Sequence, residues 1–527
     1  MKPKTFSISK YLPVLFLLVF LSFFAHLGNT PLFDADEGVY SEVTREMMAN
    51  GNFTSIRLNG MPFFHKPPLY YWAQAASIKV LGLNEFGLRL PSAVAALLWC
   101  SSIFLFTRRF YDTRTAWYVS LFMAASLMGT LMARAATPDA LVNLFLTLTL
   151  LNIYRFAHDG NKRHIYWSFM FTALGVLTRG TIVIVLPAMV SVIYFGFNKR
   201  WKDLAVLLFN PVGLMVFGLI VIPWYLGEFM LHGKAFFSDL LLLPEMTMHK
   251  YKFIGDSLPY YAFPLVVFIG TLPFSGLFLK AVFHLRSHLG DDLLQFMFIW
   301  FLLASLLATV SLPYSLLSSA YCFAPLVIIM ARTADAFRHS INLFIWPLLL
   351  IALIFLIPYA APYLAGSLEN VIGRNAVTTG ASYLDGSYRS ILGGVMILLV
   401  LLPFVKSVTN PMKYAVLGLL FVGIIDFLIM PVMGDILQQP VKNAALLAKK
   451  DNLDVVTWRM PYPSFNVYAE MLTEERPPRK GDTVFTRTRF LGKNVHYETL
   501  FKKHDIVLIK VLKMPAAGPA EAFYPEK

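Results

Sequence analysis

The sequence predicts an all-α polytopic membrane domain of about thirteen transmembrane helices followed by a small α/β soluble domain. Three observations predict it. Of 527 residues, 57 % are hydrophobic and only 14 % charged, where a soluble chain carries about 25 % charged residues. Apolar runs of about 20 residues, long enough to cross a bilayer, recur as far as residue 433. Beyond that point the runs stop, and helix-like and strand-like patterns alternate. Aromatics at 15 % fit a chain with many residues at membrane interfaces. The net charge of +14, from 45 Lys and Arg against 31 Asp and Glu, has two readings. Nucleic-acid binding is one; the better one is that loops on the cytoplasmic side collect Lys and Arg.

The first element is the apolar run Tyr11 to Leu27, preceded by Lys2, Lys4 and Lys10. It has the look of a secretory signal, but it is long for one and has no small-residue cleavage site near Asn29. It is therefore read as an uncleaved first helix. The runs in order are 11–29, 91–107, 115–133, 138–156, 164–178, 180–197, 204–226, 259–282, 292–311, 316–333, 341–361, 388–407 and 413–433. With the N-terminus in the cytoplasm, each inside junction carries at least two basic residues, as in Arg108/Arg109/Arg114 and Lys199/Arg200/Lys202. Short outside junctions carry single ones, Arg134 and Arg179. Four outside segments are too long for turns: 30–90, 227–258, 362–387 and 434–527. The chain thus divides into a transmembrane domain, 1–433, and a C-terminal domain, 434–527, expected outside. In the latter, Val441 to Lys449 reads as helix, and Asp454 to Trp458 and Asp505 to Leu512 as strands. Cys100 and Cys322 lie in apolar runs and predict neither a disulfide framework nor a metal site.

The loop 30–90 carries the chemistry. It opens Phe33-Asp34-Ala35-Asp36-Glu37-Gly38-Val39-Tyr40, and Gly38 to Met48 is spaced as an amphipathic helix with Tyr40, Val43 and Met47 on one face. Three carboxylates in four positions have a bland reading, a solvated turn in which Asp34 caps a helix and Glu37 completes a capping box. The functional reading is a carboxylate, Asp36 above all, that takes a proton from a hydroxyl. Asp34 and Asp36 also make a D-x-D pair, which permits a divalent cation without requiring one. Further on stands Phe64-His65-Lys66-Pro67-Pro68. Proline restricts itself and its predecessor, so Lys66 is held rigidly and suits a phosphate; its bland reading is a snorkelling interfacial anchor. Arg134 and Asp139, at the junction of the third and fourth runs, face the same side as Asp36. Pro138 and Asp139 also make an ordinary helix start.

The strings D-E-G-V-Y-S-E-V-T-R-E-M, N-G-M-P-F-F-H-K-P-P-L-Y-Y-W and A-R-A-A-T-P-D resemble the GT-C-fold glycosyltransferases. Within them the chain is similar to the bacterial aminoarabinose transferases of lipid A and to the protein mannosyltransferases, inner-membrane enzymes that take sugar from a polyprenyl-phosphate carrier. The resemblance implies that Asp36 is the essential first-loop aspartate with Glu37 its neighbour, that Lys66 contacts the carrier phosphate, and that Asp139 is the second acidic residue. Beside these, Arg134 is a candidate for neutralising the leaving phosphate with Lys66 and Lys252, and Tyr40 a candidate substrate contact. His249-Lys250-Tyr251-Lys252-Phe253 resembles an H-x-x-R-F element, with His249 kept and Lys252 in place of a phosphate-binding arginine. Before Pro325, where the family often shows K-L-P-x-Y-x-x-P, neither the lysine nor the tyrosine stands in its place.

The implied reaction is transfer of a sugar from polyprenyl phosphate to a periplasmic acceptor, most simply a lipid A-type glycolipid, otherwise a glycan or protein. One displacement at the anomeric carbon predicts inversion. Membrane lipids surround such an enzyme and nucleic acid plays no part. Two other classes compete. A lipid-linked-sugar transporter or flippase fits the span count, but transporters bind near the midplane between repeats, and here the polar candidates gather at one surface. A structural subunit would work without Asp36.

Overall fold

The computed structural model describes residues 8–34, 36–64, 66–236, 262–283, 290–310, 320–334, 342–367, 371–384, 386–460, 462–491 and 495–513. Helix occupies every one of the apolar runs read from the sequence. The chain opens with α1 (Ile8–Phe23), and the first loop follows, with α2 (Asp36–Asn50), the hairpin β1 (Arg57–Leu58) and β2 (Met61–Pro62), and α3 (Leu69–Leu81). Then come α4 (Glu85–Phe110), α5 (Thr113–Ala125), α6 (Leu127–Arg134), α7 (Asp139–Asp159) and α8 (Arg163–Arg179). Seven helices among the described residues are long and apolar enough to cross a membrane, eight if α5 and α6 form one bent span. Tyr11–Phe23, Ile182–Phe197 and Ala320–Thr333 are apolar but shorter. The protein is a multi-pass membrane protein. Leu219, Ile222, Leu349, Leu353 and Leu356 stand exposed on its flanks, as side chains facing lipid do.

Local chemistry sets the helix ends. The Asn84 carbonyl caps α4 at Gly87 N (2.8 Å), and Asp112 caps α5 at Arg114 N and Thr115 N. Between α5 and α6 the axis turns by 63°. Ser126 ends one helix and caps the other at Gly129 N, and Leu127 N donates to Leu272 O (2.8 Å) instead of to its own helix. A Cβ at Gly129 would stand 1.9 Å from Met123 O, so only glycine admits this turn.

The first loop is packed, not draped on the surface. The sequence marks Gly38 to Met48 as amphipathic, yet every residue from Glu37 to Met47 is buried. Its charges are neutralised inside the loop. Arg45 donates to both oxygens of Glu42 (2.7 Å each), and Glu46 accepts from Asn59 N (2.5 Å) and Gly60 N (3.0 Å). The Asn59-Gly60 turn has positive φ at both residues, as a two-residue hairpin needs.

The last apolar helix extends past residue 433 to Leu437, through a π-helical turn at Ile425–Ile429. The C-terminal domain begins with the helix Gln439–Lys450. Its sheet has β3 (Val455–Thr457), β4 (Glu474–Glu475), β5 (Thr483–Arg487), β6 (His496–Lys503) and β7 (Ile506–Lys513) in the order β4-β3-β5-β7-β6. β3 runs parallel to β4 and β5, and the rest pair antiparallel. Gln439–Lys450 and Pro463–Ala469 cover one face around Phe465, Phe485 and Leu508. The helix and both strands expected there are all present. The domain is seated on the first loop: Ser464 holds Asp34, Asn466 Nδ2 donates to Asn59 Oδ1 (3.0 Å), and Lys442 pairs with Glu85 (2.5 Å).

Candidate active site

Asp36 is the first residue of α2, and its side chain is open to solvent although protein surrounds it. Burial pushes its pKa above the ordinary range and nearby Asp139 adds to this; Arg179 and Lys66 pull it back. The structure thus gathers Asp36, Asp139, Lys66 and Arg179 into one electrostatic group. Asp139 opens α7 and Arg179 closes α8, and the two form a buried ion pair. Each lies where its helix dipole favours its charge. Gly180, at φ 87°, stops α8 right after Arg179. Lys66 is half-buried on the segment between β2 and α3.

Tyr40, one turn along α2 from Asp36, completes this group. It is buried, with its ring 5.8 Å from those of Tyr70 and Tyr71, and it feels Arg179, Asp36, Asp139 and Tyr321. Burial pushes its phenol far up, so it stays protonated and acts as a donor. Tyr321 approaches from the segment where the family's lysine and tyrosine are missing, three positions after Ser318.

Other candidates serve the scaffold. Glu37 is held as a clamp by four donors. Arg89 Nε and Nη2 donate to its two oxygens (2.9 and 2.8 Å), and Phe33 N (2.8 Å) and Ala136 N (2.6 Å) also donate to it. Arg89 further donates to the carbonyls of Leu27, Thr30 and Pro31. The residue beside Asp36 is thus tied to α4, to the end of the α1 turn and to the start of α7. Arg134 is taken up within the scaffold: it pairs with Asp426 (2.7 Å), 292 positions away, and donates to the carbonyls of Leu21, Ser22 and Ala25. The π-helical turn carries Asp426. Asp34 turns away from Asp36 and accepts from the backbone N–H and hydroxyl of Ser464. The D-x-D pair is therefore split. Among the described residues no three His, Cys, Asp or Glu gather as cation ligands. His249 and Lys252 lie outside the described residues.

Arg179 and Tyr321 escaped the reading of the sequence. Arg179 stood in plain view, in L-T-R-G-T, but as a lone basic residue at a short junction it carried no charge pattern of its own.

The chain is similar in sequence and in fold to known glycosyltransferases. The family model for dolichyl-phosphate-mannose-protein mannosyltransferase matches residues 65–226. A curated relative from Shewanella sediminis, an undecaprenyl phosphate-alpha-4-amino-4-deoxy-L-arabinose arabinosyl transferase, is 27 % identical over 61 % of this chain and 58 % of its own length. One of the same name from Pseudomonas fluorescens is 28 % identical over 62 % of this chain and 60 % of its own. The chain thus matches less than two thirds of the length of these relatives. The crystal structure of ArnT from Cupriavidus metallidurans bound to undecaprenyl phosphate superposes with a TM-score of 0.77, at 17 % identity, over 95 % of this chain and 98 % of that one. The chain has the GT-C fold and resembles, in sequence and architecture, the superfamily of aminoarabinose and protein-mannosyl transferases.

Proposed function

We propose that this protein is a membrane glycosyltransferase that moves a sugar from a polyprenyl-phosphate carrier to an acceptor on the outer face of the membrane. The observation that carries it is the open Asp36 carboxylate, flanked by Asp139 and by the cations Lys66 and Arg179. The acceptor oxygen attacks the anomeric carbon, and the carbon–oxygen bond to the carrier phosphate breaks. The phosphate leaves with the electron pair. Lys66 and Arg179 stabilise the charge that grows on it. Asp36 takes the proton of an acceptor hydroxyl; where the acceptor is an ionised phosphate, Asp36 orients the sugar instead. Among the described residues no second open carboxylate stands beside Asp36, since Asp139 is paired, so the anomeric carbon inverts.

The relatives' names favour an amino sugar on an undecaprenyl carrier as donor, and a lipid A-type glycolipid is the acceptor we assign. The protein lies in the inner membrane of a bacterium, with a cytoplasmic N-terminus and its site and C-terminal domain in the periplasm. Its own cations do the neutralising that a divalent ion does elsewhere.

The test follows sugar release from a labelled polyprenyl-phosphate pool by wild type, Asp36→Ala and Lys66→Ala at matched membrane levels. Loss in both variants is expected. Undiminished transfer by Asp36→Ala sinks the assignment. Chelation should leave the rate within about twofold; a tenfold loss restored by Mg²⁺ would place a cation beside Asp36.

A further inference from the structure

The C-terminal domain carries a group of arginines next to the catalytic loop that the reaction above leaves unused. Arg487 ends β5 and Arg489 follows in the single turn Thr488–Phe490. The Arg489 guanidinium lies 4.5 Å from the centroid of the Phe490 ring, and that of Arg459 lies 5.6 Å from the same ring. Arg459 also covers Trp458 (5.6 Å), and Arg487 covers Tyr462 (5.6 Å). Three guanidiniums thus lie over three rings, two of them sharing Phe490. Arg487 has a carboxylate, Asp505 at 3.5 Å. Arg489 is exposed and, among the described residues, has no ion pair. Partial burial and the like charge of Arg487 hold its guanidinium below the usual range. Like charges crowded so are stable only at a cost, and an anion between them relieves it.

The backbone is shaped for this placement. Arg459 sits at φ 52°, in the left-handed region that non-glycine residues seldom enter. Strain of this kind gathers at binding sites. The position is equally specific. Tyr462, whose hydroxyl accepts from Arg487, precedes the helix Pro463–Ala469, whose Ser464 grips Asp34. Tyr462 feels the charges of Asp34, Arg487 and Arg489. The cluster therefore borders the strand of chain that delivers Asp36.

We propose that Arg459, Arg487 and Arg489 bind a phosphate on the sugar head group of the acceptor glycolipid and so steer it to Asp36. This rests on the glycosyl-transfer reading. Arginine forks match phosphate oxygens in pairs, and the half-buried rings of Tyr462 and Phe490 suit a sugar ring beside the phosphate. The donor's phosphate is served by Lys66 and Arg179 and needs no third and fourth cation here.

The test uses the full-length protein in nanodiscs of neutral lipid. The probes are a bis-phosphorylated diglucosamine lipid (lipid A) and the same lipid after phosphatase treatment. Wild type should bind the phosphorylated form at least tenfold more tightly. Arg459→Glu/Arg489→Glu should remove that preference and raise the KM for acceptor about tenfold, with the KM for donor unchanged. The double lysine variant should regain most of it, and Arg479→Glu, on an exposed turn of the same domain, should behave as wild type. An unchanged preference in the glutamate variant overturns the inference while leaving the proposed reaction intact. Equal loss of binding to phosphatidylglycerol discs overturns it too, because the patch then reads any anionic surface. Phosphate-dependent binding lost in the variant, with no transfer even by wild type, upholds the site and sinks the reaction instead.

Discussion

At the scale of single residues the site depends on a balance of charges around Asp36. Burial and Asp139 raise its pKa, and Arg179 and Lys66 lower it. A base must be deprotonated, so activity falls as pH drops through this raised pKa, at higher pH than for an ordinary aspartate near 3.9. Two variants should move that limb oppositely. Asp139→Asn removes a neighbouring negative charge and shifts it to lower pH. Arg179→Gln removes a positive one and shifts it to higher pH, with a loss of maximal rate of about 10²-fold or more from the unneutralised leaving group. Profiles of kcat/KM for the three proteins check this, and limbs that move together would break the link to Asp36. Asp36, Lys66 and Asp139 were legible because charged residues beside apolar runs stand out and their strings match a known pattern. Glu37 and Arg134 stood out for the same reason, and the structure ties both into buried ion pairs with distant residues. Nothing in the sequence shows that Arg89, 52 positions away, fills one, or that Asp426 fills the other.

That difference has an energetic consequence. Replacing Arg89 by Met strands the buried Glu37 carboxylate, at a cost of about 3–5 kcal/mol. Pairing it with Glu37→Gln should recover much of the loss, since no bare charge then remains. Thermal unfolding in detergent of both single variants and the double variant is the measurement; equal destabilisation by Arg89→Met with and without Glu37→Gln would show that the charge pair is not what holds this corner.

At the scale of elements, apolar length was sufficient to mark where the apolar helices lie, because a bilayer allows little else; Leu69–Leu81 and Val371–Tyr383 are helices that no such run marked. Apolar length was insufficient for the bends. The 63° turn at Ser126 depends on a carbonyl of Leu272, far off in the chain, and the burial of α2 depends on a domain more than 400 residues later. The sequence showed α2 as amphipathic because its second and third faces are covered by elements that pattern reasoning sees one at a time. The seam between α2 and the C-terminal domain is also where pH should act. Burial pushes the Asp34 pKa up to about 7, with the Ser464 hydrogen bonds pulling it down by less. A carboxyl with a folded pKa above its unfolded one contributes stability that is full below the unfolded pKa, near 4, and lost as pH rises through 7. Docking of the C-terminal domain should therefore loosen between about pH 4 and 7, and Asp34→Asn should flatten that dependence. Protease accessibility of the segment 434–462 across this range measures it. A slope retained in Asp34→Asn would mean that another group senses the pH.

For the whole molecule the decisive quantity is the parity of membrane crossings. Lys199 and Lys449 are both accessible, and seven apolar runs, an odd number, separate them in the sequence. All seven are helical. If each run crosses once, the two residues lie on opposite sides, with Lys199 inside among Lys and Arg and Lys449 outside beside the site. A run that only dips into the bilayer changes the parity and puts both on one side. The helices Phe263–Gly270 and Ser275–Phe283, which share one run, and the eleven-residue Phe323–Thr333 are the shortest candidates for such a dip. Single cysteines can report it. Cys100 and Cys322 are buried and stay silent towards a charged maleimide. Lys449→Cys should label in intact spheroplasts, and Lys199→Cys only after lysis. If both label from outside, one of those short helices does not cross, and the site and the basic loops share a face. Transfer on the outer face would survive that result, whereas the cytoplasmic placement of the basic loops would not; labelling of both only after lysis would put Asp36 inside and contradict transfer on the outer face. Labelling on opposite sides leaves Asp36, Asp139 and Arg179 at the surface where the C-terminal domain sits. It also keeps the site open to an acceptor that never enters the cytoplasm.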